Sequence, residues 1–408
     1  MSPTGHDPSP QQTFASPDDA LNALCQRLHP VALEVVPFGQ AGGRVLAAPA
    51  PADRDSPPCD VSAMDGYAVR LVDLARPMLE VAGEAAVGQS PPRLPPGKAL
   101  RIFTGAPVPP EAEAVIRRED VREEGPRIVL GSFHRPPVVG LYIRRRGENL
   151  RADEAVLLAG PLVTPAVVAA LASFGATSVS VRRKVRVGII STGSELVAPH
   201  AHPQPWQIRD SNGPGLAALL AARAWLDVRP PVRVSDDVEA LRRLLADSVA
   251  ACDAVLLTGG VSAGQYDFVP DVVTAIGGET ILHRLPIRPG APILGAVGPQ
   301  GQAILGLPGN PVSVMITARR FGGTVLRHLA GLAGPCPWAP VVRLSNPDDQ
   351  TLKMWRFRLV RRTAVGLAEL VPTRGSGDVV SLGRSDGFVE VPPEMAGAGP
   401  WAFYSWEG

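Results

Sequence analysis

The chain is poor in several things, and each shortage narrows its class. Only four cysteines, Cys25, Cys59, Cys252 and Cys336, occur in 408 residues, with no CxxC pair and no histidine at zinc spacing. A disulfide framework and a structural zinc site are therefore not expected, and four reduced thiols suit a cytosolic protein. Neither sign of charge is in excess: 40 basic and 39 acidic side chains leave a net charge of +1. That balance argues against a strongly basic nucleic-acid binder and against an acidic tail. Aromatic residues make up 5%, and Tyr142, Trp206 and Trp225 read as packing residues rather than base-stacking platforms. The N-terminal MSPTGHDPSPQQTFASP has no apolar h-region, so it is not a signal peptide; residues 1–15 read as a disordered lead-in. The longest uncharged stretch, Ala155 to Ala176, is broken by Gly160, Pro161 and Pro165. It reads as a strand ending at Leu158 and a helix with Thr164 as N-cap, Pro165 at N1 and Gly175 past its end, so no membrane span is expected.

What is present is apolar and full of turns. Hydrophobic residues reach 45%, enough for sizeable cores, and 42 glycines with 44 prolines are scattered without a period. The length favours several domains. Leu21, Leu24, Cys25 and Leu28 share one face of a helix over about 18–28. From 51 to 150 short apolar runs (Ala99–Phe103, Ala114–Arg117, Arg127–Leu130, Val138–Ile143) predict a β-rich domain. From 185 to 332 strands and helices alternate. VRVGIIS, DAVLLTG and a hairpin of Ala291–Val297 with Gln302–Leu307 are strands, and Val228–Val234 is a further strand. SNGPGLAALLAARAWL, the DDVEALRRLLADSVAA helix capped by Asp236, PDVVTAIGG and Pro311–Leu332 are helices. This pattern predicts a mostly parallel sheet covered on both faces. After Pro335, Val341–Leu344, Phe357–Val360, Ala368–Val371 and Phe388–Val391 predict a compact β-domain.

In such sheets ligands bind beyond the carboxyl ends of the strands, and three loops there carry suitable chemistry. STGSELV offers the backbone N–H groups of Thr192 and Gly193 and the carboxylate of Glu195. TGGVSAGQYDF offers Gly259 and Gly260, the Ser262 hydroxyl and Asp267. GLPGNPVS turns tightly at Gly309, leads through Asn310 to Pro311 at N1, and places Ser313 in the first helical turn. Taken singly each loop is read equally well as a turn or a cap. Together they suit a phosphate and a divalent cation. In the β-rich region, Asp65–Gly66 lies in SAMDGYAV, Thr104 in RIFTGAPVP, and three consecutive arginines in IRRRGENL suit an oxyanion or an exposed strand edge. The HAH of His200–His202 reads as a polar loop, with no third ligand nearby.

Eight of these strings, SAMDGYAVR, IFTGAPVP, IRRRGEN, ISTGSELV, RDSN, LLTGGVSAGQYDF, RPGAP and GLPGNPVS, stand in the order seen in molybdopterin molybdenumtransferases. The chain resembles that MoeA-like family, which includes the carboxyl-terminal enzyme domain of gephyrin, from about Asp18 to Val391. The resemblance implies a multi-domain α/β plus β fold. A molybdopterin-binding-type α/β domain would span 16–32 and 184–334. A discontinuous linking domain would span 33–50 and 151–183, the β-rich domain 51–150 and a C-terminal β-barrel 335–408. It implies a cytoplasmic homodimer whose cleft is shared between subunits. The implied reaction inserts molybdate into adenylylated molybdopterin with Mg2+, releasing AMP and molybdenum cofactor. The adenylylating enzyme and a recipient molybdoenzyme are implied partners, and neither nucleic acid nor membrane is one.

On the same resemblance, Glu195 and Asp267 are cation- or pyrophosphate-handling acids, and Asp236 or Asp237 matches a further acid. Asp65 and Thr104 are contributed by the partner subunit. Arg144, Thr192, Gly193, Asp210, Gly259, Gly260, Ser262, Arg288, Asn310 and Ser313 are cofactor-binding positions, with Arg358 and Ser376 as barrel contacts to molybdate. The chain departs from the family pattern at Ala291, which replaces the second lysine of KPGKP, and at Arg288, which replaces the first. Ser194 and Asn149 each stand where an acid is common. These departures define a second reading, a non-catalytic paralogue that carries molybdopterin or its cofactor. An adenylylating enzyme or nucleotide pyrophosphatase of related fold ranks last, since neither needs SAMDGYA, the arginine run or the barrel.

Overall fold

A computed structural model describes residues 14–260, 268–332 and 339–407. Of the lead-in expected over 1–15, only Phe14 and Ala15 lie among the described residues. The chain divides into two compact units. One takes the described residues of Met1–Ala48, Ala159–Pro165 and Val179–Gly408, the other Pro49–Leu158 and Ala166–Ser178.

The larger unit is built on a seven-stranded sheet. Its order is Leu226–Val228, Val185–Thr192, Ala254–Thr258, Ala303–Leu307, Leu294–Val297 and Glu279–His283, with Val232–Val234 also pairing Val185–Thr192. The strands around Val185–Thr192 and Ala254–Thr258 run parallel, and the expected 294–307 hairpin is antiparallel. Alternate residues of each central strand feed two cores. Val187, Ile189, Leu256 and Leu305 face the Pro17–Cys25, Asn212–Ala221 and 311–329 helices, while Ile190, Val255, Leu257 and Ile304 face Val238–Ala251 and Val269–Ala275. Both faces are thus covered, which is why these strands are apolar runs without alternation. Each fully buried Leu, Ile or Val contributes about 1.5–3 kcal/mol.

Three local expectations change. The Val228–Val234 strand is two, because Pro230 and Pro231 interrupt it and offer no backbone N–H to the ladder. The 311–332 helix is divided by a π-helical turn over Ala318–Gly322. The cap of Val238–Ala251 is Asp237, whose carboxylate accepts from Ala240 N–H at 2.8 Å, so Asp236 is released for other contacts.

The C-terminal strands close into a barrel. Trp355–Ala364, Leu367–Leu370, Val341–Leu344, Trp401–Ser405 and Gly387–Val391 follow one another, and the last pairs back to the first. The closing strand Trp401–Ser405 has no counterpart among the sequence-derived elements. Along 355–364 the outward Phe357 and Leu359 join the core of the large unit, while Val360 faces the barrel core. A two-residue strand, Ile287–Arg288, pairs in parallel with Trp355–Arg356 and ties the α/β part to the barrel.

The smaller unit holds a six-stranded sheet, ordered Ala114–Arg117, Gly66–Val69, Lys98–Ile102, Met78–Ala85, Arg127–Leu130 and Val121–Glu124. The apolar run Val138–Ile143 is mostly a turn, and only Ile143–Arg144 pairs, with Val61–Ser62. Distant segments also meet elsewhere: Leu33–Pro37 pairs Ser178–Arg182, and Ala50–Pro51 pairs Ala155–Leu157. No helix among the described residues is long and apolar enough to cross a membrane.

Candidate functional site

Parallel register brings three loop tips together. Ser191, Thr258 and Leu307 stand in register on adjacent strands that end at Thr192, Thr258 and Leu307, so Gly193, Gly259–Gly260 and Gly309–Asn310 emerge side by side. Gly259 and Gly260 hold φ of 91° and 65°, and a Cβ on Gly259 would lie 2.5 Å from Thr192 O, so only glycine fits there. The backbone N–H groups of Gly260, Gly309 and Asn310 donate to no described residue. Converging open N–H groups are what an anion needs.

Acids surround this cradle. Asp236 accepts from Ser194 N–H at 3.0 Å and from the Thr192 hydroxyl at 3.3 Å, while Ser194 Oγ accepts from Asp236 N–H at 3.1 Å. Asp236 is therefore the acid that sits on the STGSE loop, and Asp237 only caps its helix. Glu195 is exposed on the same loop, and its carboxylate lies in the space that a Cβ on Gly193 would fill. Asp210 is 2% exposed and accepts from Gly213 N–H at 3.0 Å, which fixes the start of the Asn212–Ala221 helix. Ser313 is also buried, on the helix that follows Asn310. Ser262 and Asp267 lie outside the described residues. Among those described, no three His, Cys, Asp or Glu side chains gather as a metal site, and His200 and His202 are exposed.

The same unit contains a cleft of about 700 Å3 between the 287–292 segment, the 308–313 turn and the barrel. Arg288, Arg356, Arg358 and Arg374 line it together with Ala291, Asn310, Ser313 and Ser376, and among the described residues no carboxylate does. Arg288 and Arg356 are direct cross-strand partners. Like charges so placed repel unless an anion lies between them. Asp348 pairs with Arg358 and lies 3.6 Å from Arg356 Nη1. Arg356 Nη2 donates to Met395 O at 2.5 Å, but its Nε and Nη1 are buried without a hydrogen-bond partner among the described residues. Burial lowers the pKa of this guanidinium; Asp348 opposes the shift and the like charge of Arg358 adds to it. The sequence reading singled out Arg288 and Arg358 but not Arg356 or Arg374. Arg356 was recoverable, since residues two apart on a strand share a face.

In the smaller unit, Asp65 Oδ1 accepts from both the N–H and the hydroxyl of Thr104, each at 2.8 Å. The Thr104 backbone bond, then its hydroxyl, lower the Asp65 pKa and keep it an exposed anion. Gly66 must follow, because a Cβ there would lie 2.0 Å from Ile116 O. The three arginines separate. Arg144 ends the short strand and donates to Glu148 and Asn149, each at 2.7 Å, while Arg145 binds Asp60 at 2.6 Å and Arg146 binds Asp55 at 2.5 Å. The run is thus a turn anchored by the chain's own acids rather than a basic strand edge.

Glycine loops at the ends of parallel strands, beside a basic cleft against a closed barrel, make an α/β protein whose exposed groups suit an anionic ligand. The comparisons narrow that class. Residues 15–175 match the model of the MoeA N-terminal region (domain I and II), and residues 188–328 that of a probable molybdopterin binding domain. The molybdopterin molybdenumtransferase of Synechococcus elongatus is 36% identical over 375 residues, covering 89% of this chain and 91% of that protein. Molybdopterin molybdenumtransferase 2 of Mycobacterium tuberculosis is 37% identical over 376 residues, covering 88% and 91%. The molybdopterin biosynthesis MoeA protein of Pyrococcus horikoshii superposes with a TM-score of 0.77 at 28% identity, covering 97% of this chain and 98% of that one. The chain belongs to the molybdopterin molybdenumtransferase family.

Proposed function

We propose that this protein inserts molybdate into adenylylated molybdopterin, releasing AMP and molybdenum cofactor. One observation carries the reading: among the described residues four arginines and no carboxylate line the 700 Å3 cleft, with Arg288 and Arg356 in direct register. Planar guanidinium groups match the oxygens of a tetrahedral oxyanion, and the volume is in the range of organic-ligand pockets, far above that of an oxyanion alone. The adjoining loops offer open N–H groups to phosphates. Arg356 and Arg358 also answer the carrier reading, because they keep the cleft cationic although Ala291 is neutral.

The residues fit a magnesium ion held in part by substrate. Glu195 is exposed beside the N–H cradle, and Asp236, ahead of the Val238–Ala251 helix, accepts from Ser194 N–H of the same loop. A site of one or two carboxylates completed by phosphate oxygens and water suits Mg2+. Glu195 and Asp267 would hold it, and bound there it would offset phosphate charge during anhydride cleavage. Asp236 orients the STGSE loop, and the cleft arginines hold molybdate. The reading includes a cytoplasmic homodimer in which the second copy contributes Asp65 and Thr104, an adenylylating enzyme upstream and a recipient molybdoenzyme downstream.

The test combines purified protein, adenylylated molybdopterin, Mg2+ and molybdate, and follows AMP together with reconstitution of an apo-molybdoenzyme. Coupled appearance of both is expected. Tight pterin binding without either product would replace this reading with the carrier.

A further inference from the structure

Beneath the loop cradle lies a buried amide whose bonding is one-sided. Asn212 is the first residue of the Asn212–Ala221 helix and is 8% exposed. Its Nδ2 donates to Gly309 O at 2.8 Å and reaches the Thr258 hydroxyl at 3.4 Å. Its Oδ1 is buried with no partner among the described residues, and so is the Oγ of Ser191 close by. The two acceptors of Nδ2 belong to different loops, the turn after Leu307 and the end of the Ala254–Thr258 strand. Those loops approach closely: a Cβ on Gly309 would lie 3.7 Å from Gly259 Cα. Among the described residues no side chain of the loops themselves joins them, and Gly259, Gly260 and Gly309 have none to offer.

A half-satisfied buried amide is unfavourable for the fold, so its retention calls for a reason at this position. We infer that Asn212 is a positioning residue that locks the Thr258–Gly260 and Gly309–Asn310 loops together, so that their open N–H groups converge on one phosphate-type anion. This rests on the reading of the loops as the phosphate end of the substrate site, and adds the residue that sets their spacing. An anion held by N–H groups of two separate loops loses the second loop's donors when the spacing relaxes. The arginine cleft draws its cations from the 287–292 segment and the barrel, and shares with the amide only the uncharged 308–313 turn.

The test uses the full chain with inorganic pyrophosphate as probe, read by calorimetry, alongside molybdate binding and thermal midpoints. Asn212→Ala is expected to weaken pyrophosphate at least tenfold and to leave molybdate within about twofold. Asn212→Asp, which keeps the shape but removes the donor to Gly309 O, is expected to weaken pyrophosphate at least as much. Leu216→Ala, in the core face of the same helix, should lower the midpoint and leave pyrophosphate affinity unchanged. Normal pyrophosphate affinity in Asn212→Ala, with the parent binding, would overturn the positioning role and leave the phosphate reading standing. Affinity that tracks the midpoint across all three variants would also overturn it, as a folding effect. A parent protein that does not bind pyrophosphate would overturn the phosphate reading and this inference together.

Discussion

The arginines at 144–146 and those of the cleft make opposite use of the same side chain. The first three are consecutive and conspicuous, yet Glu148, Asp60 and Asp55 engage them one by one. The cleft arginines come from positions 288, 356, 358 and 374, are scattered in the sequence, and have one carboxylate, Asp348, to share between two of them. A basic run is therefore a poorer guide to open cations than a scattered set brought together by the fold. Fully partnered arginines hold structure, and those that share too few acids stay available to a ligand.

The contrast can be broken at its most buried partnered arginine. Arg320, on the π-helical turn, binds Glu390 of the barrel at 2.8 Å and Asp18 of the first helix at 2.7 Å, and both Arg320 and Glu390 side chains are 6% exposed. Burial opposes its charge, but Glu390 and its other partners outweigh this and raise its pKa. Arg320→Met should strand Glu390 and cost about 3–5 kcal/mol in urea unfolding. Arg356→Met should do the reverse. It should raise stability, by about 1 kcal/mol, because buried open donors are removed. It should also raise the molybdate concentration for half-maximal insertion roughly 10- to 100-fold. Arg145→Gln, by contrast, should leave that concentration within about twofold.

Acid titration sharpens the same distinction. Burial pushes the Asp253 carboxyl up, but the donors of Arg183 and Arg186 outweigh it and hold it at about 2. A depressed folded pKa means stability that is complete above the unfolded value and lost as pH falls through the folded one. The loss, about 1–2 kcal/mol after allowance for solvent screening, should fall between about pH 4 and pH 2. It should vanish from pH-dependent unfolding curves of Asp253→Asn. The smallest effect concerns Ala291. A lysine there adds a cation to a cleft that already holds four arginines, so Ala291→Lys should lower the half-saturating molybdate concentration only about threefold. No change would mean that the arginines already supply the charge.

What could be read beforehand followed periodicity. The buried strands 185–192 and 254–258 announce themselves by continuous apolar runs, and the three loops at their ends follow from where parallel strands deliver ligand-binding turns. Reading failed where tertiary contacts decide. Asp236 and Asp237 are adjacent acids before one helix, and only the position of Ser194 shows which one caps and which one turns to the loop. The 401–405 strand is legible only once the barrel needs closing. Arg144 to Arg146 looked like a basic edge because their acids, Asp55 and Asp60, lie some ninety residues earlier in the chain.

The short Ile287–Arg288 ladder has a consequence for swapping parts between relatives. By chain order Arg288 belongs to the α/β half, but its backbone is stitched to Trp355–Arg356 of the barrel. A chimaera cut at the start of the barrel would graft a foreign strand against a native arginine and divide the cleft between two ancestries. The natural module boundary for recombination lies before residue 287, inside the linear span of the α/β domain, because the inherited unit is the ladder and not the domain.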